Sequence, residues 1–314
     1  MIGVLAMSYG TARGPDDVEA YYTHVRRGRP PTPELLQELT ERYRAIGGRS
    51  PLIEITEAQV TGLEKLLNEG GYGDGGVDGS EEFRVYHGMK HQRPYLEDVV
   101  EQMAADGIEG AVGLVLAPHY SRFSVGEYVE RVERAAAAGG PRFSFVKSYA
   151  THPAFVAFVA SRVREARDRL PDDERDAASV VFSAHSLPER ILAAGDRYPD
   201  ELAGTADAVA SRLGLSSYRT AWQSAGRTGE PWLGPDLSDV LRDMAEQGVP
   251  AVVSCPVGFV CDHLEILYDI DIEAQSVAQE VGLTMVRTES PNDDPRFLAA
   301  LAQVIRDHLE KESA

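Results

Sequence analysis

The stretch LEDVVEQMAADGIEGAVGLVLAP, residues 96–118, decides the fold because the chain contains it twice. The second copy, LSDVLRDMAEQGVPAVVSCP, covers residues 237–256. The matched positions include Asp98 and Asp239, Met103 and Met244, and Gly107 and Gly248. In each copy an amphipathic helical pattern ends at a glycine and is followed by an apolar segment that ends in proline. We therefore expect a tandem duplication of one α/β unit, with two similar domains that face each other.

Eight apolar segments with strand character alternate with amphipathic helical patterns along the chain. They are IGVLAMSYG, FRVYHGM, AVGLVLAPH, FSFVKSYA, SVVFSAHS, YRTAWQS, AVVSCPVGF and LTMVRT. Such alternation is typical of parallel sheets covered by helices. The sequence therefore predicts an α/β fold with parallel sheets and a cleft between two domains.

The composition is that of a globular protein. A chain of 314 residues suits two domains of ordinary size. Its hydrophobic content is 43%, and no apolar run approaches the length that a transmembrane helix needs. The N-terminal MIGVLAMSYG lacks a basic leader and reads as a first strand, so we expect a cytoplasmic protein without a transmembrane segment.

The formal net charge of −19 argues against binding to nucleic acid or to an anionic membrane. Against this background the basic cluster in HVRRGRPPTP, with Arg26, Arg27 and Arg29, indicates either an exposed turn or a site for acidic groups. The two cysteines, Cys255 and Cys261, match neither a disulfide framework nor a common metal motif. We expect them to be buried thiols.

The segment SVVFSAHSLPERIL, residues 179–192, places His185 directly after a buried strand. In open α/β sheets, ligands bind at the carboxyl ends of the strands, so this imidazole is positioned for chemistry. The alternative is a loop histidine that caps the next helix.

The segment CPVGFVCDHLEILYDIDIEA, residues 255–274, carries a second signal. In a helix that begins at about Asp262, the residues Glu265, Asp269 and Glu273 form a row of carboxylates, which on a solvated helix is only an acidic face. The apolar neighbours instead predict a largely buried helix, and buried carboxylates require cations or protons. His185 and Glu265 would then supply a nitrogen and an oxygen ligand, a pair that suits Fe²⁺.

Four motifs together resemble the ferrochelatase family over essentially the whole chain: SAHSLPER, PVGFVCDHLEILYD, WQSAGRTGEPWLGPD and YYTHVRRGRPPTPELLQELTERYRAIGGRSPL. The YYTHVRRGR form is similar to the bacterial coproporphyrin ferrochelatases. The resemblance implies two Rossmann-like domains, residues 1–145 and 146–293, with a C-terminal helix of about residues 294–312 that packs back on the first domain. It also implies a monomer that inserts Fe²⁺ into coproporphyrin III in haem biosynthesis, releases two protons, and contacts neighbouring enzymes of that pathway transiently.

The same resemblance assigns residues to roles. The catalytic and metal-binding pair falls on His185 and Glu265, and the axial ligand of the product iron falls on Tyr9. The porphyrin-binding positions fall on Arg26, Arg42, Tyr43, Ser50 and Tyr128, with Lys90 and Trp232 as further candidates. Asp269 and Glu273 resemble a secondary site for Mg²⁺ or another divalent cation, and a [2Fe-2S] cluster is not expected with two cysteines. Without the resemblance, Tyr9 and Trp232 could equally be packing residues.

Two other functions remain open from the residues alone. One is a cobalt or nickel chelatase of the same architecture, because one histidine and one glutamate do not select among divalent metals. The other is a protein that carries haem or a metal without catalysis.

Overall fold

Two four-stranded parallel sheets form the framework of the protein. The structure, a computed structural model, describes residues 1–69, 82–226 and 228–313. The strands of the first sheet are β1 (Ile2–Ser8), β2 (Phe83–Met89), β3 (Gly110–Val115) and β4 (Arg142–Val146). Those of the second are β5 (Ser179–His185), β6 (Tyr218–Gln223), β7 (Ala251–Cys255) and β8 (Thr284–Arg287).

Helices cover both sheets. The α-helices are α1 (Val18–Val25), α2 (Pro33–Ala45), α3 (Leu52–Asn68), α4 (Leu96–Ala105), α5 (Val125–Ala136), α6 (Pro153–Arg167), α7 (Asp172–Arg175), α8 (Arg190–Ala193), α9 (Tyr198–Leu213), α10 (Leu237–Glu246), α11 (Gln275–Glu280) and α12 (Pro295–Ser313). A 3₁₀ turn spans Pro15–Asp17, and a π-helix spans Ile266–Ala274. Within the described ranges, no helix combines the length and the apolar character needed to cross a bilayer.

The two halves have the same topology. The strand order is β2-β1-β3-β4 in the first sheet and β6-β5-β7-β8 in the second. The duplicated sequence occupies the same place in both, since α4 leads into β3 as α10 leads into β7. All eight predicted segments contain a strand, and every pairing between strands is parallel. The predicted α/β fold with two similar halves is therefore confirmed.

Both sheets contribute to one hydrophobic core. Val4 and Leu114 enter it from the first sheet, and Phe182 enters from the second. Between them, Phe158 of α6 packs on Phe297 of α12, with ring centroids 5.4 Å apart. Burying such a side chain typically stabilises a fold by about 1.5–3 kcal/mol. A shared core of this kind holds the carboxyl ends of both sheets at one place.

The last helix, α12, packs against elements of the first half. Leu298 lies over Gly62 of α3, where a Cβ atom would come within 2.4 Å of the leucine Cδ1. Arg306 donates a hydrogen bond to the carbonyl oxygen of Leu67 at 2.9 Å, and His308 contacts the Ser144 hydroxyl at 2.9 Å. Glycine at position 62 is thus required for the close approach of the two helices.

Candidate active site

A cavity of about 610 Å³ opens at the carboxyl ends of both sheets. Ser8 and Tyr9 line it at the end of β1, His185 at the end of β5, and Glu265 after β7. A parallel sheet presents ligand sites at this edge because strand ends and the following loops converge there. The volume lies in the range of ordinary small-molecule sites.

His185 is the last residue of β5 and projects into the cavity. Its Nδ1 donates a hydrogen bond to the carbonyl oxygen of Ser186. The Tyr198 hydroxyl donates to the carbonyl oxygen of His185 at 3.0 Å. Helix α8 begins only at Arg190 and has no side-chain cap, so the helix-capping alternative for His185 is wrong. The ring is fixed with its Nε2 atom pointing away from the backbone.

Glu265 lies next to this imidazole in the cavity wall. Its Oε1 lies 3.5 Å from His185 Nε2, and its Oε2 lies 3.5 Å from His263 Nε2. The loop that carries Glu265 reaches β5 through Gly258, whose amide donates to the Ser183 carbonyl oxygen at 3.0 Å. A Cβ atom on Gly258 would come within 2.5 Å of the Ala184 Cβ, so glycine permits the approach. His263 is a site residue that our sequence analysis missed, although it stands two positions before Glu265.

The two groups change each other's protonation. Burial alone would lower the pKa of His185, but the charge and hydrogen bond of Glu265 outweigh it and raise that pKa to about 9. Burial alone would raise the pKa of Glu265, but His185 and His263 hold it well below its usual range. At neutral pH the pair therefore consists of an imidazolium and a carboxylate, which share one proton.

The first prediction follows from this pair. In an NMR titration of the protein without substrate, the His185 imidazole should titrate near pH 9, and in a Glu265→Gln variant at a clearly lower pH. Because the folded-state pKa exceeds the ordinary 6.5, the stabilising contribution of His185 should be complete below about pH 6.5 and be lost as the pH rises through 9. A wild-type midpoint below 6.5 would contradict the close pairing.

Tyr9, Lys90 and Tyr128 also line the cavity. Lys90 Nζ lies 5.8 Å from the centre of the Tyr9 ring and 5.0 Å from that of Tyr128. The surrounding protein, together with the carboxylates of Glu265 and Glu127, raises the pKa of Tyr9, so its side chain is a neutral phenol. Tyr9 is 43% exposed, and that surface faces the cavity.

Three further predicted residues, Tyr43, Ser50 and Trp232, also line the cavity. The Tyr43 hydroxyl is 2.7 Å from Thr11 Oγ1, and Ser50 Oγ accepts a hydrogen bond from the Leu52 amide at 3.4 Å. The indole of Trp232 donates to Thr228 at 2.8 Å, and its ring centre is 6.3 Å from that of His185. Their polar atoms are engaged within the protein, so these side chains shape the wall.

The structure places both predicted arginines, Arg26 and Arg42, outside the cavity wall. Arg26 does not line the cavity; its Nε donates to the carbonyl oxygen of Arg29 at 3.3 Å. Its neighbour Arg27, which has a left-handed φ of 57°, lines the cavity instead. Arg42 is also outside the wall, because its guanidinium lies against the acidic helix. The sequence indicates the basic cluster as a whole and the family resemblance assigns Arg26 to the porphyrin, whereas Arg27 is the member of the cluster that lines the cavity.

That helix differs from the predicted one in its hydrogen bonding. Helical residues begin at 264, and Ile266–Ala274 form a π-helix where we expected an α-helix from about Asp262. The buried apolar residues recur here at an interval of four, at Ile266, Ile270 and Ala274, and Asp269 is buried beside them. This interval is longer than the 3.6 residues of one α-helical turn. The wider turns of a π-helix keep residues at this interval on one face of the helix.

The outer carboxylates of this helix are paired with Arg42. Its Nη1 is 3.1 Å from Asp269 Oδ1, and its Nη2 is 3.9 Å from Glu273 Oε1. Asp269 is buried and Glu273 is half exposed, so the row is not simply a solvated acidic face. Burial and the charge of Glu265 raise the pKa of Asp269 to about 6.

This arrangement does not fit a divalent cation at Asp269 and Glu273. The guanidinium of Arg42 occupies the space between the two carboxylates. Among the residues that the structure describes, no group of three histidine, cysteine, aspartate or glutamate side chains is arranged to hold a metal ion. We therefore derive no step through a second cation.

Both cysteines are buried and free, as predicted, and burial raises the pKa of each thiol to about 12. Cys261 lines the cavity but is a neutral thiol at physiological pH. It is therefore a poor metal ligand or nucleophile.

Comparison with curated proteins shows close relatives over the full length. The chain is 49% identical over 314 residues to the coproporphyrin III ferrochelatase of Anoxybacillus flavithermus, covering 99% of this chain and 98% of the relative. It is 48% identical over 306 residues to the coproporphyrin III ferrochelatase of Bacillus subtilis, covering 97% of this chain and 96% of the relative.

Solved structures of low sequence identity share the fold. The sirohydrochlorin chelatase SirB from Bacillus subtilis subspecies spizizenii, solved in complex with cobalt, superimposes with a TM-score of 0.55 at 12% identity, covering 98% of this chain and 95% of that chain. CbiX, described as the terminal enzyme of sirohaem biosynthesis in denitrifying bacteria, gives a TM-score of 0.55 at 16% identity, covering 97% and 98%. The sequence profile of the ferrochelatase family matches residues 1–309. With this match and close relatives over the same length, the chain that builds the His185–Glu265 cavity belongs to the ferrochelatase family.

Proposed function

We propose that this protein inserts Fe²⁺ into coproporphyrin III, giving coproheme for haem biosynthesis with the release of two protons. The observation that carries the proposal is the His185–Glu265 pair, 3.5 Å apart in a cavity of about 610 Å³. Family membership and 49% identity to a coproporphyrin III ferrochelatase support the choice of metal and porphyrin.

His185 and Glu265 act together on the metal and on the protons. Below about pH 9 a proton occupies the His185 imidazole, and Fe²⁺ competes with it for the same nitrogen. Arrival of the metal therefore releases that proton toward Glu265. When the metal passes on to the porphyrin the imidazole nitrogen is free again, and the imidazole and the carboxylate are the bases nearest to the two pyrrole protons that the porphyrin loses.

Asp269 is the next acceptor along the helix. Its pKa, raised to about 6, is closer to neutral pH than that of an ordinary carboxyl group, so it can take up and release a proton readily. Its carboxylate accepts hydrogen bonds from Ser224 and Arg42. A proton that leaves Glu265 can thus reach Asp269 and then the half-exposed Glu273.

The remaining wall residues hold the porphyrin. Tyr9 lines the same cavity as His185 and is the candidate axial ligand of the product iron. Tyr43, Ser50, Tyr128 and Trp232 contact the macrocycle, and Lys90 is the buried cation beside it. For the substrate carboxylates at the cavity mouth we propose Arg27, with Arg26 and Arg42 further out.

Substrate preference is the second prediction and also tests the function. Under anaerobic conditions with Fe²⁺, the protein should metallate coproporphyrin III over many turnovers, with a kcat/KM at least about tenfold above that for protoporphyrin IX. Coproporphyrin III has four propionates to pair with basic groups, whereas protoporphyrin IX has two and places vinyl groups in polar surroundings. The change in the Soret and Q bands measures both rates, and added salt should raise the KM for coproporphyrin.

The competing functions give different results in this assay. A carrier would bind one equivalent of porphyrin or metal and stop. A cobalt or nickel chelatase would turn over with those metals but not with Fe²⁺. A preference for protoporphyrin IX would agree with the proposed metal insertion but would contradict the proposal that coproporphyrin III is the substrate.

Several expectations stay predictions. They are the division into domains at residues 1–145 and 146–293, the monomeric state, the cytoplasmic location, and transient contacts with other haem-pathway enzymes. The two sheets, which end at Val146 and begin at Ser179, support a division of the chain in this region.

A further inference from the structure

Glu127 is a carboxylate in the cavity wall to which our sequence analysis gave no role. It is the third residue of α5 and lies between two cations that also line the cavity. Its Oε2 is 2.5 Å from Lys90 Nζ, and its Oε1 is 3.5 Å from Arg27 Nη2. Each carboxylate oxygen therefore faces a different cation.

Lys90 differs from Arg27 in its exposure. Lys90 is only 8% exposed and is enclosed by the rings of Tyr9 and Tyr128. A buried ammonium needs a charged partner, and Glu127 supplies it. The side chain of Arg27 is 81% exposed at the mouth of the cavity. The charge of Lys90 is thus neutralised by Glu127 within the protein, while the exposed Arg27 is available to a ligand.

A porphyrin meets these two cations differently. A porphyrin whose carboxylates all lie on one edge can turn that edge toward the exposed Arg27. A porphyrin with carboxylates all round the ring must also place some of them against the inner wall, near Lys90 and Glu127. There Glu127 already neutralises the Lys90 ammonium, so an incoming carboxylate finds no free positive charge to offset its desolvation.

We infer that Glu127 determines substrate specificity: by pairing with Lys90 it disfavours porphyrins with more carboxylates than the cavity mouth can pair. This inference rests on the proposed function, since it concerns the same cavity and the same class of substrate. Glu127 acts by excluding carboxylates, and it takes no part in the transfer of metal or protons.

The test compares dissociation constants of the metal-free protein, measured by fluorescence quenching, for three porphyrins. Protoporphyrin IX carries two carboxylates, coproporphyrin III four and uroporphyrin III eight. The Glu127→Gln variant should bind protoporphyrin IX with unchanged affinity and uroporphyrin III about tenfold more tightly. For coproporphyrin III the gain in affinity should be smaller. Each comparison is with the wild type, so differences in porphyrin size cancel.

Two further variants complete the test. Glu130→Gln removes the same charge from the exposed side of α5 and should leave all three affinities unchanged. Adding Lys90→Met to Glu127→Gln should abolish the gain, because the gain requires the unpaired ammonium. The inference is overturned if Glu127→Gln behaves like Glu130→Gln, if all three porphyrins gain equally, or if the gain persists without Lys90. Because no metal is present, these outcomes are independent of whether the wild type inserts Fe²⁺.

Discussion

Replacement of His185 by alanine is expected to abolish metal insertion, with a loss of about hundredfold or more in kcat. The imidazole is the only nitrogen ligand that we assign to the metal, and it holds the proton that the metal must displace. The fold should persist, because the side chain is about one-third exposed at a strand end and leaves Glu265 paired with His263. Anaerobic turnover with coproporphyrin III measures the loss, and fluorescence quenching should show that the porphyrin still binds.

The matched control is His308→Ala, which removes a histidine from α12 that contacts Ser144 and does not line the cavity. It should retain wild-type turnover. Near-native activity of a folded His185→Ala variant would remove His185 from the mechanism. If the His185→Ala variant lost porphyrin binding as well as turnover, the imidazole would instead be a wall residue that binds the porphyrin.

The strands and their parallel order could be predicted because they depend on local patterns. Segments such as Val180–Phe182 are apolar without alternation, which is typical of strands covered on both faces. The duplicated stretch also predicts that β3 and β7 occupy equivalent positions in the two sheets, as the structure shows. The position of His185 followed from the same argument, since the end of a buried strand in a parallel sheet is a ligand site.

Contacts between distant residues could not be predicted in this way. Arg42 pairs with Asp269, which is 227 residues away, and no local pattern indicates that this guanidinium would neutralise the acidic helix. No local pattern indicates that Arg27, which has a left-handed backbone conformation, lines the cavity where Arg26 does not. The π-helix was missed because a repeat of four residues is close to the periods of both helix types.

The acidic helix should give a graded response. Glu265→Gln is expected to lower kcat for metal insertion by about hundredfold, because it removes both a metal ligand and the charge that holds the proton on His185. Asp269→Asn should lower kcat only a few-fold, since it removes only the next proton acceptor and leaves Arg42 paired with Glu273. Glu273→Gln should be close to the wild type, because that carboxylate is half exposed and solvent can replace it.

The three variants control for one another, because each replaces a carboxylate by an amide of the same shape on the same helix. The kcat of each at saturating porphyrin separates a chemical role from binding, and melting temperatures identify any loss of stability. If Asp269→Asn were as damaging as Glu265→Gln, the proton would have to pass through Asp269 in every turnover. If all three variants were silent, the helix would be an acidic face without a part in the reaction. A graded loss alone places the chemistry at Glu265, where the carboxylate faces His185, and gives the outer residues the secondary role of carrying the proton to solvent.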